Sequence, residues 1–227
     1  MFDKLNKLIS EKHFKIVQNT HVLLVGIGGV GGYAFEALVR SGIGKITIID
    51  HDVIDITNLN RQIITNQGNI NQKKIAEAKK RALEINPGCE IITHDLFLDE
   101  SNIDEIFKDK FDYIIDACDT ITTKVLLVKK AQELNIKLIS CMGTGNRLDP
   151  SKVMITKLNK TYNDPLAKVM RKLLKDNNLK TKINVVWSSE LPIKTGDRKP
   201  SSIILVPSVA GINAASYIIN DILKTDL

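Results

Sequence analysis

The sequence predicts an α/β fold of the Rossmann-like, doubly wound type, with a mainly parallel sheet and a C-terminal mixed extension. Two observations carry this prediction. Short apolar runs alternate with segments of helical period along residues 22–140, the pattern of buried parallel strands covered by helices on both faces. After residues 143–145, Gly-Thr-Gly, the pattern changes, which predicts an extension of mixed character.

In the first part of the chain, each element is predicted from the residues at which an apolar run stops. The first run ends at Gly26, the helix that follows is closed by Gly42, and the second run ends at Asp50. A later helix carries its apolar residues on one face and is stopped by residues 86–88, Asn-Pro-Gly. We expect strands at residues 22–25, 46–49, 90–93, 113–117 and 137–140, and helices at residues 33–41, 72–85 and 122–134.

The last third of the chain predicts a less regular set of elements. Asp164 is a suitable N-cap, and Pro165 suits the first position of a helix. Residues 188–202 combine prolines and a glycine with charges, and they form a loop long enough to be a lid or to be disordered. We expect strands at residues 153–156 and 184–187, an apolar segment at residues 203–206, and helices at residues 166–175 and about 209–224.

Composition places the chain among globular proteins. Its 227 residues are 43% hydrophobic and 26% charged, enough to bury a sizeable core in a single domain over residues 1–227. Cys89, Cys118 and Cys141 show no C-x-x-C spacing, which argues against a zinc site or a disulfide framework. No run reaches the roughly 18 apolar residues of a membrane span, and no signal peptide is indicated. We therefore expect a cytoplasmic protein that does not associate with membranes.

A glycine-rich turn after the first strand predicts a nucleotide site. Gly26, Gly28 and Gly31 satisfy G-x-G-x-x-G, with Gly29 inside the run. The missing side chains let the backbone approach phosphate oxygens at a helix N-terminus. Asp50 ends the second strand, where a carboxylate accepts hydrogen bonds from ribose hydroxyls. These features alone leave a nicotinamide-dependent oxidoreductase open.

Polar residues further along the chain favour a triphosphate that undergoes chemistry. Arg61, close after Asn58, can clamp phosphate oxygens, and Lys74 can offset charge as pyrophosphate leaves. Asp119 follows the strand at residues 113–117, at the edge where open α/β sheets bind ligands, and its carboxylate could hold Mg²⁺. We take Arg61, Lys74 and Asp119 as candidate catalytic residues. The alternatives are a strand-end cap for Asp119 and solvated surface charges for the two cations.

Positive charge is concentrated in the last third of the chain. The 32 Lys and Arg and 26 Asp and Glu give a net charge of +6, and residues 157–182 alone hold eight cations and two anions. Four cations lie on one face of the helix expected at residues 166–175, at Lys168, Arg171, Lys172 and Lys175. This face is either solvated or binds an anionic partner, and because it lacks aromatic residues we expect phosphate contacts rather than base reading.

Taken together, these residues resemble the ubiquitin-activating-enzyme-like superfamily, whose members adenylate a carboxylate with ATP. Within it, the chain is most similar to the tRNA threonylcarbamoyladenosine dehydratases. The similar motifs are the glycine run, residues 50–62, residues 85–87, Asp116-Ala117 with Asp119 and Lys124, and residues 148–150, 164–167 and 187–190. The resemblance implies that Asp50 binds the ribose of ATP, that Asn58, Arg61 and Lys74 bind its phosphates, and that Asp119 binds Mg²⁺.

The resemblance also implies an activity and partners. The activity is ATP-dependent cyclisation of threonylcarbamoyladenosine in tRNA, by adenylation of the threonyl carboxylate and intramolecular attack. Residues 1–150 would bind nucleotide, and residues 151–227 would dimerise and bind tRNA through Lys168, Arg171, Lys172 and Lys175. We expect the chain to form a homodimer, and we expect tRNA and a sulfur-relay protein as its other partners. The alternative is an adenylating enzyme for a ubiquitin-like or sulfur-carrier protein.

Several positions depart from the relatives or have no assigned role. Lys4 stands where relatives often carry an arginine that reaches into the neighbouring subunit's site, and it keeps the charge without the fork geometry. The catalytic cysteine of the protein-activating members is missing, so we expect no thioester intermediate. We interpret Cys118 and Cys141, which flank the expected site, as buried apolar residues. Glu190 lies in a similar motif and could be a simple loop charge.

Overall fold

A seven-stranded sheet organises the computed structural model, which describes residues 1–197 and 200–224. Its strands are β1 (His21–Val25), β2 (Lys45–Ile49), β3 (Glu90–His94), β4 (Tyr113–Asp116), β5 (Lys137–Cys141), β6 (Val153–Lys157) and β7 (Asn184–Ser188). They lie in the order β3-β2-β1-β4-β5-β7-β6, and each neighbouring pair is parallel except β7 and β6. The predicted mainly parallel sheet with a mixed C-terminal extension is confirmed.

Helices cover both faces of this sheet. They are α1 (Asp3–Asn6), α2 (Glu11–Asn19), α3 (Gly31–Arg40), α4 (Lys74–Ile85), α5 (Ile103–Ile106), α6 (Ile121–Glu133), α7 (Pro165–Asp176) and α8 (Leu205–Leu223). Strand β1 supplies both cores, because alternate residues point to opposite faces. Leu24 packs with α3, α4 and α8 on one side, and Leu23 packs with α5, α6 and α7 on the other. Across the described part of the chain, every helix is too short or too polar to cross a bilayer.

Helix α8 packs closely against α3, which starts at the glycine-rich turn. A Cβ atom on Gly211 would lie 2.2 Å from the carbonyl oxygen of Val30 and 2.8 Å from the amide nitrogen of Ala34. Pro207, in the first turn of α8, approaches Gly29 of the glycine-rich turn itself. The last helix of the chain therefore supports the turn that was predicted to bind a nucleotide.

The structure corrects the sequence prediction at the helices. Helix α8 begins at Leu205 rather than near residue 209, because Pro207 lies in its first turn, where no backbone N–H is required. Helices α1, α2 and α5 were not predicted, although Ser10 caps α2 by accepting a hydrogen bond from the His13 amide.

The predicted loop at residues 188–202 starts at the last residue of β7, and its described remainder lacks helix and strand. Residues 198–199 of that loop and residues 225–227 of the predicted domain lie outside the described residues.

Candidate active site

A cavity of about 760 Å³ opens at the carboxyl ends of β1, β2, β4 and β5. We call one part of it the nucleotide half, because it gathers residues predicted to bind a nucleotide or its metal: Gly26, Gly28, Gly29, Asp50, Asn58, Arg61, Lys74 and Asp119. We call the other part the far half, which is lined by residues 142–147, residues 164–166, Pro192 and Pro200. The predicted site residues of the first half are thus brought together by the sheet, although they span 94 positions of sequence.

The glycine-rich turn joins β1 to α3 in a conformation that side chains would block. Gly26 has a φ of +88°, and a Cβ atom on Gly31 would lie 1.8 Å from the carbonyl oxygen of Gly26. Gly28 differs, because a Cβ atom there would meet only the Gln62 side chain, at 3.8 Å. Gly26 and Gly31 therefore permit the turn, whereas Gly28 leaves its backbone open to a ligand in the cavity.

Asp50 is half-buried at the end of β2 and braces the glycine-rich turn. Its Oδ2 atom accepts a hydrogen bond from the Ile27 amide at 2.7 Å, and its Oδ1 atom accepts one from the Asp52 amide at 2.8 Å. Each carboxylate oxygen has a further lone pair. Asp50 can therefore hold the turn and still accept a hydrogen bond from a ligand hydroxyl.

Lys74 begins α4 and points its ammonium group at the cavity wall. The side chain is 6% exposed, and its Nζ atom lies 2.6 Å from Oδ2 of Asp52, which is 49% exposed. Asp52 is a neighbour that the sequence did not single out. A buried lysine needs such a partner, because desolvation disfavours an unpaired charge.

Arg61 and Asn58 are held by the same short segment. Asn58 ends a single 3₁₀ turn at Ile56–Asn58, and its Oδ1 atom accepts a hydrogen bond from the Asp55 amide at 3.1 Å. The Nη1 atom of Arg61 donates to the Thr57 carbonyl at 2.8 Å and to Oδ1 of Asn60 at 2.9 Å. These bonds engage one of the three guanidinium nitrogens, so the others remain able to bind an anion.

Asp119 lies just beyond β4 on the cavity lining, and it is exposed. Its one hydrogen bond within the described residues comes from the Thr120 hydroxyl, at a long 3.5 Å. An exposed carboxylate that is not engaged in an ion pair is the kind of ligand that Mg²⁺ uses together with substrate phosphates.

A fully buried ion pair lies beneath the cavity. Lys124 donates to both carboxylate oxygens of Asp116, at 3.0 and 3.1 Å, and to the Cys141 carbonyl at 2.8 Å. Ser140 and Cys118 donate to the same carboxylate. Burial opposes the charge on Lys124, but the neighbouring Asp116 outweighs it and keeps the pKa of Lys124 above its ordinary value. The pair fixes the carboxyl ends of β4 and β5.

The two cysteines beside this pair are poor nucleophiles. Burial raises the pKa of Cys141 to about 12, and burial next to Asp116 raises the pKa of Cys118 further. Because the thiolate is the reactive form, these thiols are largely unreactive near neutral pH.

The far half is organised by Arg147, which is 2% exposed. Its guanidinium group donates to the carbonyl oxygens of Ser188, Glu190 and Asn163. The Glu190 carboxylate returns to the same region by accepting from the amides of Leu148 and Asp149, at 3.0 to 3.1 Å. The Glu190 side chain therefore holds two loops together and is not a simple loop charge.

Asn146 ties the rest of the 188–202 loop to the cavity. It accepts from the Ser201 amide through Oδ1, donates from its amide to the Ser201 carbonyl, and accepts from the Ile193 amide, each at 2.7 Å. Pro200 packs on Gly145, where a Cβ atom would lie 2.6 Å from the Cβ atom of Pro200. The described part of this loop therefore forms a wall of the far half.

The ThiF family model matches residues 3–223 of the chain. The chain belongs to the ThiF family. Its curated relatives include the tRNA threonylcarbamoyladenosine dehydratase of Bacillus subtilis, with 37% identity over 98% of this chain and 94% of the relative. The crystal structure of the Escherichia coli tRNA N6-threonylcarbamoyladenosine dehydratase TcdA in complex with ATP superposes with a TM-score of 0.93 and 32% identity. This superposition covers 99% of this chain and 94% of the TcdA chain. The crystal structure of the same enzyme with AMP also has a TM-score of 0.93, with 31% identity, and covers 98% of this chain and 94% of the TcdA chain.

The predicted tRNA-binding residues of this ThiF-family chain lie on α7, away from the nucleotide half. Lys168, Lys172 and Lys175 are exposed, and their side chains make no ion pair within the described residues. Arg171 is half-buried and turns back onto the preceding turn, where its Nη1 atom donates to the carbonyls of Leu158 and Thr161. Three of the four cations are thus free to meet an anion, and the fourth also has a structural role.

Sequence reasoning missed three residues of this ThiF-family site. Asp52 partners Lys74, Arg147 holds the far half, and Gln62 is a buried side chain on the cavity lining. The Oε1 atom of Gln62 and the Nε atom of Arg147 have no hydrogen-bond partner among the described residues. One signal was available, because Asp52 lies two residues after Asp50 at the carboxyl end of β2, where ligand-binding side chains gather.

Lys4 is exposed on α1, remote from the nucleotide half of its own chain. Phe2, at the start of that helix, packs on Phe14 and approaches Gly42, which follows the end of α3. The nucleotide half lies at the opposite end of α3. Lys4 therefore has no role in the cavity of its own chain.

Proposed function

We propose that this chain is an ATP-dependent tRNA threonylcarbamoyladenosine dehydratase. The observation that carries the proposal is the cavity in which an open glycine turn, Asp50, Arg61, Lys74 and Asp119 converge. It occurs in a chain that matches the Bacillus subtilis dehydratase over 98% of its length. The nucleotide half then takes ATP, and the far half takes the threonylcarbamoyl group of the modified adenosine.

The nucleotide half suits ATP in charge and shape. The Gly28 backbone faces open space, where phosphate oxygens can meet amide groups near the start of α3. Asp50 accepts from a ribose hydroxyl, while Asn58, Arg61 and Lys74 contact the phosphates. The two cations offset charge that develops on the triphosphate, which supports chemistry at phosphorus rather than hydride transfer.

The carboxylate of Asp119 fits a magnesium ion that accompanies ATP. It is exposed, lines the cavity and is not engaged in an ion pair within the described residues. A bound Mg²⁺ would add positive charge beside the phosphates. Arg61 and Lys74 hold the triphosphate with or without it, because they lie on other elements of the wall.

Two bond exchanges complete the proposed reaction. An oxygen of the threonyl carboxylate attacks the α-phosphorus of ATP, the bond to the bridging oxygen breaks, and pyrophosphate leaves. A nitrogen or oxygen of the same modification then attacks the activated carbonyl carbon, loses its proton and expels AMP. Because the nucleophile and the electrophile belong to one side group, proximity supplies much of the second step. The nucleoside loses one water overall, and its oxygen leaves with AMP.

The C-terminal extension, residues 151–227, contacts tRNA and a second copy of the chain in this proposal. The exposed cations of α7 support phosphate contacts. Dimerisation is supported by apolar side chains left exposed along β6, just before α8 and in the first half of α8: Met154, Ile155, Ile203, Ile204, Leu205 and Ile212. In such a dimer, Lys4 would act in the cavity of the second copy. A sulfur-relay protein is a further partner in this proposal. The free cysteines are consistent with a cytoplasmic location.

The test is a reaction with Mg²⁺, ATP and tRNA that carries threonylcarbamoyladenosine. We expect AMP, pyrophosphate and a nucleoside lighter by one water, detected by mass spectrometry. Unmodified tRNA is the control, and the Arg61→Ala and Asp119→Asn variants should lose most of the product. If modified and unmodified tRNA yield equally little AMP, the proposal fails. AMP formation that depends instead on a carrier protein with terminal glycines would favour the alternative adenylating enzyme.

A further inference from the structure

Tyr162 is a large aromatic residue that the fold leaves exposed beside the far half. It precedes α7, is 57% exposed, and its ring contacts that of Trp187 edge-on, with centroids 4.7 Å apart. Trp187 is 4% exposed, and its indole N–H donates to the Tyr162 carbonyl at 2.9 Å. The tyrosine is therefore fixed from behind by a buried ring, while more than half of its surface faces solvent.

The chain that follows Tyr162 enters the cavity wall at once. The Asn163 carbonyl accepts from Arg147 at 3.0 Å, and Asp164 accepts from the Gly143 amide at 3.1 Å. Asp164 lines the far half, and two residues of extended chain span at most about 7 Å. The Tyr162 backbone thus lies within roughly the length of one nucleotide from the far half, in a turn held by buried hydrogen bonds.

Exposed cations surround Tyr162 along the chain. Lys157 and Lys160 precede it, and Lys168, Lys172 and Lys175 follow on α7. None of these side chains forms an ion pair within residues 1–197 and 200–224. At 1.5 Å per residue, the α7 cations extend about 10 Å from Lys168 to Lys175. Exposed aromatic rings and unpaired cations are the two kinds of side chain with which proteins bind single-stranded nucleic acid.

We propose that Tyr162 is the stacking platform for an RNA base next to the modified nucleotide, and that it guides this nucleotide into the far half. The inference rests on the proposed function for the identity of the modified nucleotide. It adds a base contact to the phosphate contacts of α7, whose own basic face lacks aromatic residues. Stacking tolerates any base, so Tyr162 would strengthen binding without selecting a sequence.

A purely structural role for Tyr162, as a cover for Trp187, makes a different prediction. A cover needs only apolar bulk, so leucine would serve as well as an aromatic ring. A stacking platform needs the ring face, so phenylalanine would serve and leucine would not. The Tyr162 hydroxyl is dispensable in both cases, because it forms no hydrogen bond within the described residues.

The experiment measures RNA affinity rather than product. RNA hairpins that present an unmodified adenosine in the loop are titrated with the wild-type protein and with Tyr162→Phe, Tyr162→Leu and Tyr162→Ala. We expect the dissociation constant to rise about tenfold for leucine and alanine and to stay within about twofold for phenylalanine. With hairpins in which the neighbouring bases are abasic, the four proteins should bind alike. Val169→Ala, an exposed apolar change on α7, is the matched control.

The chain offers an internal reporter, because Trp187 is its single tryptophan. Its fluorescence should change on binding of the intact hairpin and not of the abasic one. Equal losses with intact and abasic RNA, or a leucine variant that binds like wild type, would overturn the proposal. Failure of the proposed function is distinguishable, because it appears as absent product whatever residue stands at position 162.

Discussion

The Nζ atom of Lys74 lies 2.6 Å from the Oδ2 atom of Asp52, across the wall of the nucleotide half. The lysine is buried, whereas the aspartate is half open to solvent. The carboxylate therefore pairs with the ammonium group and directs it along the wall in the absence of a ligand. The preceding residue, Lys73, is exposed and binds Asp95, and neither of these two residues lines the cavity.

Replacing Lys74 with alanine should lower the rate of AMP formation about 100-fold, the usual cost of losing one group that stabilises transition-state charge. The measurement is the initial rate of pyrophosphate release with modified tRNA. Lys73→Ala is the control and should leave that rate within about twofold, because Lys73 does not face the cavity. Similar rates for both variants would remove Lys74 from the catalytic set.

Replacing Lys124 with methionine should destabilise the protein by about 3–5 kcal/mol, because it leaves the Asp116 carboxylate buried without its counter-charge. Urea unfolding followed by circular dichroism measures the loss. Lys129→Met, at an exposed position of the same helix, should change stability by less than about 0.5 kcal/mol. Combining Lys124→Met with Asp116→Asn should recover part of the lost stability. A double variant that is less stable than Lys124→Met alone would contradict this account.

Replacing Glu36 with glutamine should destabilise the protein in a pH-dependent way. Glu36 is 7% exposed and accepts from Arg40 of its own helix and Arg81 of α4. Burial opposes its charge, but the two arginines outweigh it and hold the pKa of Glu36 below its ordinary range. Since the folded-state pKa is depressed, the stabilisation is complete above the ordinary value of about 4.3 and is lost as pH falls through the lower folded value.

For Glu36→Gln we expect a loss of about 2 kcal/mol at pH 7 that shrinks once pH falls below the ordinary glutamate pKa of about 4.3 and through the lower folded-state pKa. Chemical denaturation at a series of pH values measures the difference from wild type. Glu100→Gln, an exposed site with no ion pair in the described residues, should show no such trend. A difference that stays constant with pH would mean that charge at Glu36 is not the source.

Removing single cations from α7 should weaken RNA binding and make the binding less dependent on salt concentration. For Lys168→Ala, Lys172→Ala and Lys175→Ala, we expect the slope of log affinity against log salt to fall by about one unit each. The loss should be the same for RNA of different sequence, because phosphates carry no base identity. Lys129→Ala on α6 serves as the control, and unchanged slopes in the α7 variants would place the RNA elsewhere.

Much of the sheet was predictable because its signals are local. The apolar runs of β1 and β2 end at Gly26 and Asp50, so both the strands and the positions of two site residues follow from a few neighbouring residues. The order β5-β7-β6 was not predictable, because β7 inserts beside β5 after a long excursion through β6 and α7. Pairing over such a distance leaves no mark on the local pattern.

Some residues of the candidate site could likewise be predicted from local sequence, and others could not. Asp119 follows a strand at the edge where a parallel sheet binds ligands, and Arg61 and Lys74 are cations in the segment after Asp50, so residue type and position suggested all three. Arg147 could not be found in this manner, because its hydrogen-bond partners lie 16 to 43 residues away. Its burial is a property of the assembled loops, and an arginine in isolation is expected at the surface.

The close approach of Gly31 to the Gly26 carbonyl leaves no room for a side chain at that position of the turn. In the proposed function, the phosphates of ATP would therefore approach the backbone of the turn with no side chain in the way. An ATP analogue that keeps its phosphates should accordingly retain the affinity that this bare backbone provides.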